Sequence, residues 1–126
     1  MFVDLDDFKA VNDRYGHQHG DRVLRAVGAA INATVRDQDY PARWGGDEFI
    51  ILLSSGDQRL AEQIGERLLD ELRQVGERLT DQPVGASLGF VPLNAHETTE
   101  DLIGAADAAL YRAKESGKGR FEPQHA

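Results

Sequence analysis

Apolar residues recur along this chain with two periods. From Asp21 to Arg36 they fall every four residues, at Val23, Val27, Ile31 and Val35 with Leu24 beside them, which gives a helix one apolar face. The spacing returns after a Gly56-Asp57 turn, at Leu60, Ile64, Leu68, Leu72, Val75 and Leu79. It returns again from Thr98 to Ser116, where Leu102, Ile103, Ala106, Leu110 and Ala113 form the buried side. Thr98 or Thr99 caps this last helix and Gly117 stops it. Shorter apolar runs read as strands: Met1 to Leu5, Tyr40 to Trp44, Phe49 to Leu53 and Val84 to Leu93. Phe8 to Tyr15 reads as a short helix ended by Gly16. His17 to Asp21 then reads as a loop, with Asp21 capping the helix that follows.

The runs on either side of Gly45-Gly46 form a β-hairpin, since a tight primed turn needs the positive φ that glycine adopts freely. Phe121 begins a last edge strand. The order reduces to β–α–ββ–α–β–α with that final strand. The expectation is an α+β sandwich of the ferredoxin-like kind, with a central, mainly antiparallel sheet and helices covering one face. The domain is expected to span residues 1–121, with 122–126 as a frayed tail.

Composition narrows the function. The 126 residues fit one domain, and a hydrophobic content of 40% supplies a core. There is no cysteine, which excludes disulfides and thiolate metal sites and fits a reducing cytosol. No apolar run is long enough to span a bilayer. The domain is expected in the cytoplasm, alone or as part of a longer, membrane-anchored protein. A net charge of −8 argues against a nucleic-acid polymer as partner, which needs a basic face. It leaves room for a mononucleotide, whose phosphates a metal ion and a few lysines can neutralise.

Two acidic stretches carry the chemistry. Asp4, Asp6 and Asp7 crowd the end of the first strand, where they can hold a hard cation or serve as helix-start signals that complement the macrodipole. Asp47 and Glu48 follow the hairpin glycines. Bare glycines that let phosphate oxygens approach backbone N–H groups, next to two carboxylates for a cation, suit a nucleotide polyphosphate. A solvated turn is the ordinary alternative. His17 and His19, without a third ligand, are read as structural or solvated.

Asp4-Leu5-Asp6-Asp7-Phe8-Lys9, Asn12-Asp13-Arg14-Tyr15-Gly16-His17, Gly20-Asp21, Arg43-Trp44-Gly45-Gly46-Asp47-Glu48-Phe49, and Ala108 to Lys114 with Gly117-Lys118 closely resemble the motifs of the GGDEF family of diguanylate cyclases. The resemblance runs almost end to end, in the family's order and spacing. It implies a polymerase-palm-like version of the sandwich. It also implies condensation of two GTP molecules into cyclic di-GMP and two pyrophosphates, with Mg2+ or Mn2+ as cofactor.

Carried across, Asp4 and Asp47 match metal-binding carboxylates, with the backbone carbonyl of Leu5 as a further ligand. Asp47, Glu48 and Lys114 form the implied catalytic set. Phe8, Lys9, Asn12, Asp21, Gly45, Gly46, Lys114 and Lys118 form the implied substrate site. Within it Asn12 and Asp21 match guanine readers. A carboxylate accepts from guanine's N1–H and amino group together, a donor pair that adenine lacks. Lys9, Lys114 and Lys118 match cations that meet the phosphates, the last two at i, i+4 on one helical face. Phe8 and Leu24 are read mainly as packing. Arg36-Asp37-Gln38-Asp39 matches an R-x-x-D inhibitory site for cyclic di-GMP, with Arg67 as a third contact. As a bare pattern it is an ordinary surface pair. Joining two GTPs reciprocally implies a twofold homodimer. A non-catalytic module that senses GTP or cyclic di-GMP is the alternative function. The family's helix ahead of the first strand is not found in this sequence, so the chain is expected to be a fragment or truncated at its start.

Overall fold

In the computed structural model, which describes residues 1–124, five strands form one sheet in the order β2-β3-β1-β4-β5. The strands are β1 Phe2–Leu5, β2 Tyr40–Arg43, β3 Glu48–Leu52, β4 Ala86–Phe90 and β5 Phe121–Pro123. The helices are α1 Phe8–Tyr15, α2 His17–Thr34, α3 Gln58–Leu79 and α4 Thr99–Glu115. Every pairing is antiparallel except that of β4 with β5. The expected α+β class and mainly antiparallel sheet are present.

Strand alternation sorts the core into two layers. Val3 and Leu5 of β1, Phe49 and Ile51 of β3, and Leu88 of β4 pack with Val23, Val27 and Ile31 of α2 and Ile64, Leu68 and Leu72 of α3. Phe2 and Ile50 point the other way and pack with Leu102, Ile103, Ala106 and Leu110 of α4. Helices therefore cover both faces, where the sequence suggested one. The contact that allows this is small. A Cβ on Gly89 of β4 would lie 2.6 Å from the Ala106 carbonyl oxygen and 2.7 Å from the Leu110 nitrogen, so α4 rests with its backbone on the sheet. Ala106, Ala109 and Ala113 are its fully buried residues.

Two boundaries differ from expectation. His17 to Asp21 is not a loop but the start of α2, because Gly16, at φ 88, reverses the chain in a single residue. Asp21 consequently lies inside the helix and does not cap it. The frayed tail expected from 122 is instead ordered through 124: Glu122 and Pro123 belong to β5, and Gln124 N–H donates to the Phe90 carbonyl at 2.8 Å. Residues 125–126 lie outside the described residues. The cap predicted at Thr98 is present, accepting from Asp101 N–H, and Asp57, read only as part of a turn, caps α3 by accepting from Arg59 N–H.

Gly89→Ala should push α4 off the sheet and cost about 1–3 kcal/mol in urea unfolding. Gly104→Ala, on the same helix with nothing within 4 Å of the added methyl, should leave stability unchanged or raise it.

Candidate functional site

The register of β1 sets the site. Alternation puts Asp4 on the face of Phe2, toward α4. Asp4 pairs with Glu48 of β3 on one side and Ser87 of β4 on the other, one row beyond Ile50, Phe2 and Gly89. An apolar row under α4 is thus followed by a polar row at the carboxyl end of β1. Leu5 N–H donates to the Asp47 carbonyl at 3.1 Å, which fixes the hairpin tip beside that end. Lys114, near the end of α4, reaches over the row. Its Nζ lies 2.6 Å from Asp6 Oδ1, 3.7 Å from Asp4 Oδ1 and 3.4 Å from the Leu5 carbonyl. Burial pushes the Asp4 carboxyl up to about 6. The Lys114 ammonium opposes that rise, and the charges of Asp47, Glu48 and Asp6 add to it.

Asp6 has a role that sequence reasoning missed, having read it as part of an acidic cluster and as a helix-start signal. Its nearly buried carboxylate accepts from Lys114 Nζ, from Ser87 Oγ at 2.8 Å and from Gly119 N–H at 2.9 Å. It therefore ties together β1, β4, α4 and the turn after α4. The available signal was Ser87, a lone hydroxyl inside an apolar strand, which needs a partner when buried. Lys118 also departs from expectation. It is not on α4, which ends at Glu115, but in a turn where Gly117, Lys118 and Gly119 all have positive φ. Lys114 and Lys118 meet the same acidic loop from a helix and from a turn, with Lys118 Nζ 2.8 Å from Asp7 Oδ1. That hydrogen bond from Lys118 holds the Asp7 carboxyl below its ordinary range.

The hairpin tip does not use positive φ at Gly45 or Gly46. Trp44 and Gly45 N–H both donate to the Glu48 carbonyl, so the Gly45 amide is spent within the turn and is not open to a phosphate. The glycines keep the tip bare: a Cβ on Gly46 would meet nothing within 4 Å. Arg43, quoted in the motif without a role, braces the tip by donating to the Gly45 carbonyl at 3.0 Å and the Gly46 carbonyl at 2.7 Å. Phe8, Lys9, Asn12, Leu24, Arg43, Gly46 and Asp47 line a cavity of about 280 Å³. Asp21, Arg25, Gly28 and Phe49 line a neighbouring one that shares Leu24 and Arg43. Asn12, Asp21, Gly46 and Asp47 thus border one groove. A larger cavity of about 470 Å³ lies across α1, against Arg14 and Tyr15, and includes neither Asn12 nor Asp47.

His19 is structural, as expected, with Nε2 bonded to the Leu79 carbonyl at the end of α3. Arg36 and Asp39 form a closed pair. The Asp39 carboxylate accepts from Arg36 N, Nε and Nη2 and from Ser54 N–H, all at 3.0–3.1 Å, and its side chain has 0% exposure. In this state it offers nothing to a guanine edge and instead staples the end of α2 to the exit of β3. Arg67 stands exposed on α3, and no hydrogen bond joins it to Arg36 or Asp39.

The donors around Asp4 fit a divalent cation only in part. Among the described residues, no three acidic or histidine side chains close on one point. Asp4, Asp47 and the Leu5 carbonyl supply oxygen atoms only. That suits Mg2+, which is held by one or two carboxylates and leaves the rest of its shell to water and substrate phosphates.

Fold and site define a palm-like α+β domain with an acidic strand end beside a bare hairpin tip. The profile of the family described as "Diguanylate cyclase, GGDEF domain" matches residues 1–120, and the chain belongs to that family. It is 40% identical over 126 residues to the diguanylate cyclase DosC of Escherichia coli (strain K12), covering 97% of this chain and 27% of that protein. It is 41% identical over 126 residues to the cyclic di-GMP phosphodiesterase PdeR of the same strain, covering 96% of this chain and 19% of PdeR. The chain therefore spans about a quarter or less of these relatives. The GGDEF domain of PA1120 (YfiN or TpbB) from Pseudomonas aeruginosa superposes with a TM-score of 0.87 at 32% identity, covering 99% of this chain and 80% of that one. The coiled coil and GGDEF domain of DgcB from Caulobacter crescentus, in complex with c-di-GMP, gives 0.74 at 28% identity, covering 97% and 66%. No helix among the described residues is long and apolar enough to cross a membrane.

Burial alone would raise the pKa of Asp39, but the hydrogen bonds from Arg36 and Ser54 outweigh it and lower the value from 3.8 to about 2. The stability this contributes is full above pH 3.8 and is lost as pH falls through about 2. Asp39→Asn should cost about 1–3 kcal/mol at neutral pH. In chemical denaturation the gap between wild type and variant should hold down to the ordinary carboxylate range and narrow below it.

Proposed function

We propose that this domain is one half of a diguanylate cyclase. It binds one GTP, and two copies facing each other join two GTPs into cyclic di-GMP with release of two pyrophosphates. The observation that carries the reading is the row of Asp4 and Glu48, with Asp47 beside it and Lys114 above it, next to the groove of Asn12 and Asp21. Asp21 and Asn12 accept and donate to the guanine edge. Lys9, exposed at the start of α1, meets the phosphates together with Lys114 and Lys118. Gly45 and Gly46 leave room for the nucleotide over the hairpin. Asp4, Asp47 and the Leu5 carbonyl would hold Mg2+ or Mn2+, which would supply charge neutralisation and polarisation at the α-phosphate. The 3′-oxygen of one GTP bonds to the α-phosphorus of the other, the bond from that phosphorus to pyrophosphate breaks, and the hydroxyl proton passes to the hairpin carboxylates, Asp47 and Glu48. One groove holds one nucleotide, so a second copy is required, and a twofold homodimer provides it.

A second reading, a non-catalytic module that senses GTP or cyclic di-GMP, is favoured by one comparison. PdeR, named for a phosphodiesterase, carries a stretch as similar to this chain as that of DosC. Incubation with GTP and Mg2+ at several protein concentrations, with cyclic di-GMP followed by chromatography, separates the two. The cyclase reading expects product, specific activity that rises with protein concentration, and a loss on the order of a hundredfold or more in Asp47→Ala. GTP binding without product at any concentration leaves the sensor.

Product inhibition belongs to the same proposal and rests on Arg36. Its guanidinium is one-third exposed and can exchange Asp39 for a ligand phosphate. Arg36→Ala should weaken inhibition by added cyclic di-GMP about tenfold or more. An unchanged inhibition constant would remove the R-x-x-D pair from regulation.

A further inference from the structure

Gly20 is buried in the second turn of α2, where that helix lies against α1. The junction between the two is Gly16 alone. Gly16 N–H donates to the Asn12 carbonyl at 2.8 Å, and Gly20 N–H donates to the Gly16 carbonyl at 3.0 Å. The turn therefore folds α2 straight back onto the face of α1 that carries Asn12. A Cβ on Gly20 would lie 1.8 Å from Asn12 Oδ1, 3.0 Å from its Cγ and 3.4 Å from Phe8 Cζ. The carboxamide of Asn12 occupies the space a side chain at position 20 would need.

We propose that Gly20 is a positioning residue for base recognition: its missing side chain leaves the space that holds the Asn12 carboxamide at the nucleotide groove. This rests on the reading above, in which Asn12 meets guanine.

The chemistry of the contact separates this role from an ordinary packing glycine. At Gly89 and Gly76 an added methyl would strike backbone atoms of a neighbouring segment, and whole elements would have to move. At Gly20 the obstructing atoms are the far end of a flexible side chain, which can turn away by rotation about its own bonds. Gly20 does not have a positive φ, so alanine fits its backbone and is the better helix former. Alanine at this position should displace Asn12 while leaving the fold intact. A glycine needed only for helix packing would lose stability first.

The test compares the whole chain as wild type, Gly20→Ala, Asn12→Ala and the double variant. Three quantities are read: the unliganded melting temperature, the affinity for GTP with Mg2+ by calorimetry, and the Asn12 side-chain amide resonance, assigned by its loss in Asn12→Ala. Gly20→Ala should shift that resonance and keep or raise the melting temperature. It should weaken GTP about five- to tenfold, the scale of one neutral hydrogen bond. The double variant should bind no more weakly than Asn12→Ala and melt no lower. An unmoved resonance, or GTP affinity equal to wild type, overturns the proposal. So do losses that multiply in the double variant, or a double variant that melts below Asn12→Ala, because the obstruction would then lie in the helix backbone. If the wild type binds no GTP, the functional reading fails by itself, and the resonance and melting temperatures still decide whether Gly20 holds Asn12 in place.

Discussion

The pairing of β1 between β3 and β4 is the constraint on which the rest depends. A strand has period two, so a slip of one residue would turn Asp4 into the α2–α3 core and Val3 out of it. The ladder prevents this by burying Val3 and Leu5 on one side and Phe2 on the other. With that register fixed, Asp4, Glu48 and Ser87 fall into one row. Their alignment is a consequence of the apolar residues next to them. Partly burying a carboxylate in that row has a cost, which the raised pKa of Asp4 expresses: burial, with a smaller addition from Asp47, Glu48 and Asp6, disfavours the charged form in the unliganded protein. A fold selected for stability alone would place a neutral residue there, and on the proposed reading a bound cation would relieve this cost.

The second layer depends on thinness. α4 approaches β4 across Gly89 with alanines on its inner side. That closeness is what lets Lys114 reach the end of β1, since a larger side chain at position 89 would lift the helix and the ammonium with it. Asp6 then locks the arrangement by accepting from a helix, a strand and a turn at once. Packing and site are thus not separable on this face of the sheet.

Much of this was legible in the sequence because it rests on repeats of apolar residues. The faces of α2 and α3 and the strand runs follow directly from spacing, and the hairpin from its glycines. The acidic clusters at Asp4 and Asp47 were visible as composition, and their meeting needed only the strand order. What the sequence concealed lay in contacts made by absence or by backbone. α4 covers the second face through glycine and alanine, which carry no strong apolar signal. Gly16 starts a helix where a polar segment suggested a loop. Gly45 and Gly46 keep a tip bare without the positive φ that a two-residue turn would demand. Asp6 and Ser87 are distant in sequence, and their bond depends on the register of β1 against β4. For Asp39 the pattern gave the position but not the state, since four hydrogen bonds inside the protein already use its carboxylate.

The charge arrangement bears on how an acidic chain can hold a triphosphate. Lys114 and Lys118 are each committed to a carboxylate, Asp6 and Asp7, in the unliganded protein. They are therefore not a free basic patch, and the net charge of −8 gives no general attraction for an anion. On the proposed reading the nucleotide arrives together with its divalent cation, so both signs enter at once. The carboxylates gain a cation, and the lysines gain phosphate oxygens in place of carboxylate oxygens. Asp6, the less exposed of the two carboxylates that the lysines would leave, keeps the hydrogen bonds from Ser87 Oγ and Gly119 N–H, which lowers the cost of the exchange. A helix end and a left-handed turn both hold these ammonium groups against the acidic loop.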